Sequence, residues 1–178
     1  MKKLTFLLFL FIGIQATSNA QMSEKPRNGW GFGFQLAEWG NDFGFGFSIN
    51  SPEYFQFLSV DLTYQQQFRS NYVDATNPWE PYGIVQFGVR SKGGQITDWF
   101  HLYGFGRVSY LAVGPADWNV GAFSGSGGFG FEFNTHASGQ SPVSYFIEMG
   151  GTGGFETAAD EPSVAGGFNS TVGLRVVF

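Results

Sequence analysis

The feature that most constrains this chain is a strict alternation of phenylalanine and glycine near its start. The stretch GWGFGFQLAEWGNDFGFGFSIN, residues 29–50, places an apolar side chain at every second position on either side of a pause at 39–42. Successive side chains of a β-strand point to opposite faces, so a period of two indicates strands with one apolar face. The stretch therefore predicts two strands joined by a short loop.

The same alternation recurs along the rest of the chain. The breaks between alternating segments contain glycine, proline, serine and asparagine, which suit turns. We place eight strands at 29–38, 42–50, 54–68, 81–91, 98–112, 119–134, 143–154 and 166–178. The connections 69–80 and 155–165 are long, whereas 51–53 and 92–97 are short. An even strand number with long loops at one end is typical of outer-membrane barrels.

The first residues have the features of an export signal. Lys2 and Lys3 precede the apolar segment 4–14, and Ser18-Asn19-Ala20 supplies the small residues that a signal peptidase needs. The apolar segment is shorter than the roughly 20 residues of a spanning helix. We therefore predict a signal peptide over residues 1–20, removed after Sec-dependent export, and a single barrel domain over residues 21–178.

Composition narrows the possible partners. After removal of the two signal lysines, seven of the nine basic residues remain, against fourteen acidic residues. The net charge is then −7. There is no basic cluster, which argues against a nucleic-acid partner. The chain has 22 Phe, 27 Gly and no Cys, and its mean hydropathy is near zero. Apolar and polar residues are therefore interleaved, and no disulfide framework exists.

The pairing of phenylalanine with glycine indicates which face of each strand contacts water. In a soluble barrel the phenylalanines would point inwards, and the glycines would weaken an exposed strand face without offering a polar side chain. In a membrane barrel the phenylalanines face lipid, while the glycines leave room in a narrow lumen. We predict an all-β fold, an eight-stranded antiparallel up-and-down transmembrane β-barrel. A soluble periplasmic lipocalin-like binding barrel is the alternative.

The positions between the lipid-facing residues carry charges. In the fifth strand we assign the Arg107 face to the lumen, because a charge at the lipid midplane costs roughly 2–4 kcal/mol. We also place Glu38 inwards, near a rim. Three carboxylates and three arginines are expected to form salt bridges in a polar, largely packed lumen without an open pore. The predicted lumen network is Asp61, Arg90, Arg107, Glu132, Glu148 and Arg175.

Four tryptophans lie near predicted strand ends. Indole rings favour the membrane interface, so these residues are expected to form two aromatic girdles. They are Trp30, Trp79, Trp99 and Trp118. The expected partners are therefore outer-membrane lipids and lipopolysaccharide.

The last third of the chain resembles a known family. The runs GGFGFEFNTHASGQSPVSYFIEMGG and GGFNSTVGLRVVF are similar to the last three strands of OmpA/OmpX-like small outer-membrane β-barrels, especially porin-family proteins of Bacteroidetes-type bacteria. The inward Glu148 and the terminal Val172, Gly173, Arg175 and Phe178 fit that pattern. The resemblance implies the outer membrane of a Gram-negative bacterium. It also implies that Phe178 is the signal that the barrel-assembly machinery recognises.

Enzymatic activity receives little support from the sequence. His136 and Ser138 have the His-x-Ser spacing of outer-membrane lipid A deacylases, but the residues that follow the serine in that family are absent, and the pair lies in a predicted periplasmic turn. His101 is the only other histidine, so neither a triad nor a metal-binding pattern is present.

We therefore expect a monomeric, non-enzymatic barrel without a cofactor and with a structural or surface-interaction role. A lipid-modifying enzyme is the alternative, and a narrow conduit for small solutes is a lesser one. The loop ligand is unknown. Candidate contact residues in the outer loops are Tyr72, Asp74, Trp79, Glu80, Glu156, Asp160 and Glu161.

Overall fold

The computed structural model describes residues 28–55, 57–70, 79–115, 118–135, 141–156 and 164–178. Its eight strands are β1 (Gly31–Trp39), β2 (Asp42–Asn50), β3 (Leu58–Ser70), β4 (Trp79–Thr97), β5 (Phe100–Val113), β6 (Phe123–Asn134), β7 (Val143–Phe155) and β8 (Val164–Val177). Each strand pairs antiparallel with the next, and β8 pairs with β1, which closes the barrel. The predicted all-β, eight-stranded architecture is confirmed. Within the described ranges, no helix is long and apolar enough to cross a membrane.

Three strands differ most from the sequence prediction, which are β3, β4 and β6, and β6 begins at Phe123 instead of residue 119. Strand β3 begins at Leu58 instead of residue 54, because Phe55 adopts a left-handed conformation with a φ of 55° and Tyr54 forms a bridge to Leu58. Strand β4 runs through the predicted turn at 92–97 and ends at Thr97. Register shifts in its pairing with β5 accommodate this extension, and the turn itself is formed by residues 98–99.

The turn between β1 and β2 fixes the register of the first hairpin. Trp39 pairs with Asp42, so only Gly40 and Asn41 lie between the strands. Gly40 has a φ of 61°, and a Cβ at this position would lie 2.9 Å from the carbonyl oxygen of Gly166. Both the conformation and the close approach require glycine here.

The strands alternate between an apolar outer face and an interior of small and polar side chains. In β1, Phe32, Phe34 and Leu36 point outwards, while Gly33 and Gln35 are buried inside. The phenylalanine-inside arrangement of the soluble alternative is not the one observed. The inward assignment of Glu38 was wrong, since this side chain is exposed on the same outer face as Leu36.

Inward glycines make room for large side chains from neighbouring strands. A Cβ on Gly88 would overlap the side chain of Arg107, and a Cβ on Gly130 would overlap the ring of Tyr103. Residues larger than glycine at these positions would displace the side chains that fill the lumen. The glycines are therefore part of the packing of the interior.

Candidate functional site

The barrel interior changes in polarity from one end to the other. Along β4, the apolar Ile84 is followed by the amide of Gln86 and then by the guanidinium of Arg90, all three buried. Along β5, Leu111, Ser109 and Arg107 follow in the same order. The interior thus consists of three layers. They are an apolar cap at the end of the β1–β2 turn, a middle layer of uncharged polar groups, and an ionic network at the end where β1 begins and β8 ends.

Arg107 is the centre of the ionic network. Its Nε donates to Asp61 Oδ2 at 2.9 Å, and its two terminal nitrogens donate to the two oxygens of Glu148 at 2.6 and 2.9 Å. The hydroxyl of Tyr103 also donates to Glu148, at 2.9 Å. A two-pronged arginine–carboxylate contact of this kind is among the stronger charged hydrogen bonds. Arg107 therefore ties β3 and β7 to β5 through the lumen.

A second group in the network is built around Glu132. Arg175 Nη1 donates to Glu132 Oε2 at 2.6 Å, and the hydroxyl of Ser144 donates to Glu132 Oε1 at 2.5 Å. The guanidinium of Arg175 lies 4.7 Å from the centre of the Phe146 ring. This group connects β6, β7 and β8.

Arg90 lies between the two groups. Its guanidinium approaches Asp61 and Glu132 at 3.7 Å each and lies 5.6 Å from the centre of the Tyr103 ring. These contacts are longer than hydrogen bonds, so Arg90 balances charge without fixing geometry. The structure thus brings together all six residues of the network predicted from sequence, and every carboxylate among them has an arginine partner.

The charged side chains of the network are buried within the barrel. Asp61 and Glu148 are almost completely buried, and Glu132 is mostly buried. Buried charges are tolerated when they are paired and hydrogen-bonded. The three carboxylates have this arrangement with Arg107 and Arg175, whereas Arg90 is paired with Asp61 and Glu132 at longer distances. In the part of the chain that the structure describes, no group of three His, Cys, Asp or Glu residues could hold a metal ion.

The middle layer consists of buried amides and hydroxyls. The Gln67 amide donates to Gln65 Oε1 at 3.1 Å, and the Gln86 amide donates to the hydroxyl of Ser109 at 3.0 Å. Gln35 is buried close to Gln65. These side chains occupy the lumen between the ionic network and the apolar cap.

The apolar cap fills the opposite end of the lumen, and its core is formed by Ala37, Trp39, Tyr82, Ile84, Leu111, Trp118, Phe155, Val164 and Ala165. Trp118, from the connection between β5 and β6, is only 7% exposed, and its ring centre lies 5.3 Å from that of Tyr82. Tyr82 donates its hydroxyl to Asp42 at 2.6 Å. The prediction that Trp118 belongs to an outer girdle was wrong, because the indole is buried inside the barrel.

The other three tryptophans of the predicted girdles have exposed side chains. Trp30 precedes β1, Trp79 begins β4, and Trp99 lies in the turn between β4 and β5. Their exposure agrees with a position at a membrane interface, which stays a prediction. His101 is half-buried at the start of β5.

Several sequence predictions lie outside the described residues. They are the signal peptide 1–20, the His136 and Ser138 pair, and the loop residues Tyr72, Asp74, Asp160 and Glu161. Of the remaining loop candidates, Glu156 is exposed after β7 and Glu80 lies near the start of β4, where it pairs in register with Arg69.

The assignment of the Arg107 face to the lumen also places Tyr103 and Phe105 inwards, but their contacts with the network were not predicted. Tyr103 and Ser144 hydrogen-bond to the network, and Phe105 and Phe146 lie beneath Arg107 and Arg175. Phe146 was missed, although it lies on the same face of its strand as Glu148, so strict alternation would have identified it. Trp118 lies outside the strands, where alternation gives no information.

The fold and the interior define the class of protein: a closed eight-stranded barrel with an apolar exterior, paired charges inside and an apolar cap at one end. No protein-family model matches the chain, and neither does any curated protein.

Proposed function

We propose that this chain is a small integral outer-membrane β-barrel with a structural or surface-interaction role and without an open pore. The observation that carries the proposal is the inverted polarity of the barrel. Phe47, Phe87 and Phe32 are more than half exposed on the outer wall, while Asp61, Glu148 and many other polar side chains are buried inside. A wall of this kind is unfavourable in water and favourable in lipid.

The height of the apolar outer face supports the proposal. On β1 this face runs from Trp30 through Phe32, Phe34 and Leu36 and ends at the exposed Glu38. The eight residue steps from Trp30 to Glu38, at about 3.3 Å each and a tilt of about 40°, span roughly 20 Å along the barrel axis. This is close to the apolar band of about 25 Å on outer-membrane barrels.

The filled lumen argues for a role at the membrane surface. Transport of solutes would require displacement of the ionic network, the middle amide layer and the apolar cap. The network takes one side chain from each of the strands β3 to β8, and the cap takes side chains from five strands and the connection between β5 and β6. The proposed role is therefore carried by the loops and the outer wall, with lipids and lipopolysaccharide as surrounding partners.

Insertion into a bilayer is the direct test. Protein expressed without residues 1–20 and refolded into phosphatidylcholine vesicles should be protected from protease, and it should migrate differently on a denaturing gel before and after boiling. The same preparation should show no stepwise conductance in planar bilayers. Failure to insert would contradict the membrane proposal, and reproducible conductance steps would contradict the closed lumen.

Deletion of Phe178 is expected to reduce assembly in cells without preventing folding in vitro. Phe178 is 72% exposed, its amide donates to the carbonyl of Trp30, and its ring lies 6.1 Å from that of Phe32. The paired strand β8 ends at Val177, so the deletion leaves the β1–β8 ladder in place. Outer-membrane fractions should contain several-fold less of the deletion variant, whereas refolded protein should keep its strand content by circular dichroism. Normal levels in the outer membrane would exclude Phe178 as an assembly signal.

A further inference from the structure

The turn between β2 and β3 is held firmly to the end of the barrel. The side-chain amide of Asn28 donates to the carbonyl of Glu53 and accepts a hydrogen bond from its backbone N–H. The ammonium of Lys92 contacts the carboxylate of Glu53 at 2.9 Å, and the backbone N–H of Lys92 donates to the carbonyl of Phe57 at 2.7 Å. The turn is therefore fixed on both sides, to the segment before β1 and to β4.

This firmly held turn presents three exposed aromatic rings, Tyr54, Phe55 and Phe57, which we call the aromatic turn. Phe55 is 83% exposed, and its ring makes one aromatic contact, with Phe57 at 6.4 Å. Its φ of 55° is a left-handed conformation that is costly for a bulky residue. Little packing of the Phe55 ring against the described residues offsets this cost, so the gain from holding the ring outwards comes from something other than these residues.

The surroundings of the aromatic turn indicate its partner. On one side lie Trp30 and Phe178, which are joined to each other by a backbone hydrogen bond. On the other side lie Ile96, near the end of β4, and Trp99, in the turn that follows β4. All four side chains are exposed, and the apolar outer face of the barrel continues from this end towards the β1–β2 turn. The charges of Glu53 and Lys92 neutralise each other, so the turn offers little charge to a protein partner.

We propose that the aromatic turn inserts into the headgroup region of the bilayer and anchors this end of the barrel there. The proposal rests on the proposed membrane location. Aromatic rings are favoured in that region, and a turn held on both sides places them there with little loss of conformational entropy on insertion.

Phe55→Asn is expected to change stability in opposite directions in lipid and in water, and Phe55→Trp is the aromatic control. Asparagine tolerates the left-handed conformation better than phenylalanine does. If Phe55 faces water, Phe55→Asn relieves the backbone cost and lowers the unfolding equilibrium constant. If Phe55 lies in the headgroup region, the loss of the ring dominates, and we expect that constant to rise at least ten-fold in phosphatidylcholine vesicles. Phe55→Trp keeps an aromatic ring and should stay within three-fold of the parent.

The control is Val120→Asn, an apolar-to-asparagine change at an exposed loop position at the opposite end of the barrel. We expect it to change the unfolding equilibrium constant less than three-fold.

The second measurement uses NMR of the protein in lipid nanodiscs. The Phe55 ring protons, assigned by the loss of their signals in Phe55→Asn, should show NOEs to lipid glycerol and headgroup protons. A stabilising Phe55→Asn, or ring NOEs to water alone, in protein that inserts normally would overturn the anchor. Protein that does not insert would instead overturn the membrane proposal itself.

Discussion

Replacement of Arg107 with alanine is expected to lower the free energy of unfolding by about 3–5 kcal/mol, because two buried carboxylates then lose their short arginine contacts. Arg107 makes three hydrogen bonds of 2.6 to 2.9 Å to Asp61 and Glu148. The measurement is urea unfolding of the refolded protein, followed by tryptophan fluorescence.

The matched control for this variant is Arg90→Ala. Arg90 is also buried in the network, but its contacts with Asp61 and Glu132 are 3.7 Å long, and each of these carboxylates keeps a short arginine contact when Arg90 is removed. We expect a clearly smaller loss of stability. Adding Glu148→Gln to Arg107→Ala should recover part of the lost stability, because one unpaired charge is removed. Equal losses for the two alanine variants would show that the short contacts do not determine the stability of the lumen.

Replacement of Phe47 with lysine is expected to lower the stability of the protein in bilayers by about 2–4 kcal/mol, the cost of a basic residue near the lipid midplane. Phe47 is 58% exposed in the middle of the outer face of β2, beside Phe34 at 5.4 Å. The stability is measured by urea unfolding of the variant in phosphatidylcholine vesicles. In a water-exposed protein the same change would fall within about 0.5 kcal/mol.

The control for the charge itself is Asn41→Lys, in the turn between β1 and β2, where the side chain is exposed beyond the apolar face. This variant should unfold at the same urea concentration as the parent. A Phe47→Lys variant that is as stable as Asn41→Lys would contradict the membrane location of the outer wall.

The architecture could be predicted because the period of two is almost unbroken within the strands. Alternation assigned Glu148 on β7 to the interior. Arg107 on β5 was placed there because a charge at the lipid midplane is costly, and the structure joins the two side chains. The pairing of β8 with β1 follows from closure of the barrel, because an unpaired strand edge is costly in hydrocarbon. Glu38 was misplaced only because the alternation was not followed through from Leu36.

The apolar cap could not be predicted, because its central residue lies outside the strands. Trp118 is buried through contact with Tyr82, which is 36 positions earlier in the sequence, and no local pattern reports such a contact. The length of β4 was also missed. Gly93 and Gly94 were interpreted as part of a turn, but the register shift between β4 and β5 allows the strand to continue through them.

The distribution of charge among the strands has a consequence for the order of assembly. Apart from Asp42 at its turn, the β1–β2 hairpin contributes no charged side chain to the interior, whereas the six network residues come from the strands β3 to β8. The partners in the short ion pairs are separated by 41 to 46 positions in sequence, so these contacts form only when distant hairpins meet. In the proposed membrane location, an incomplete sheet would expose their charges to hydrocarbon. We therefore expect the first hairpin to enter lipid early and the remaining strands to enter together as the ring closes.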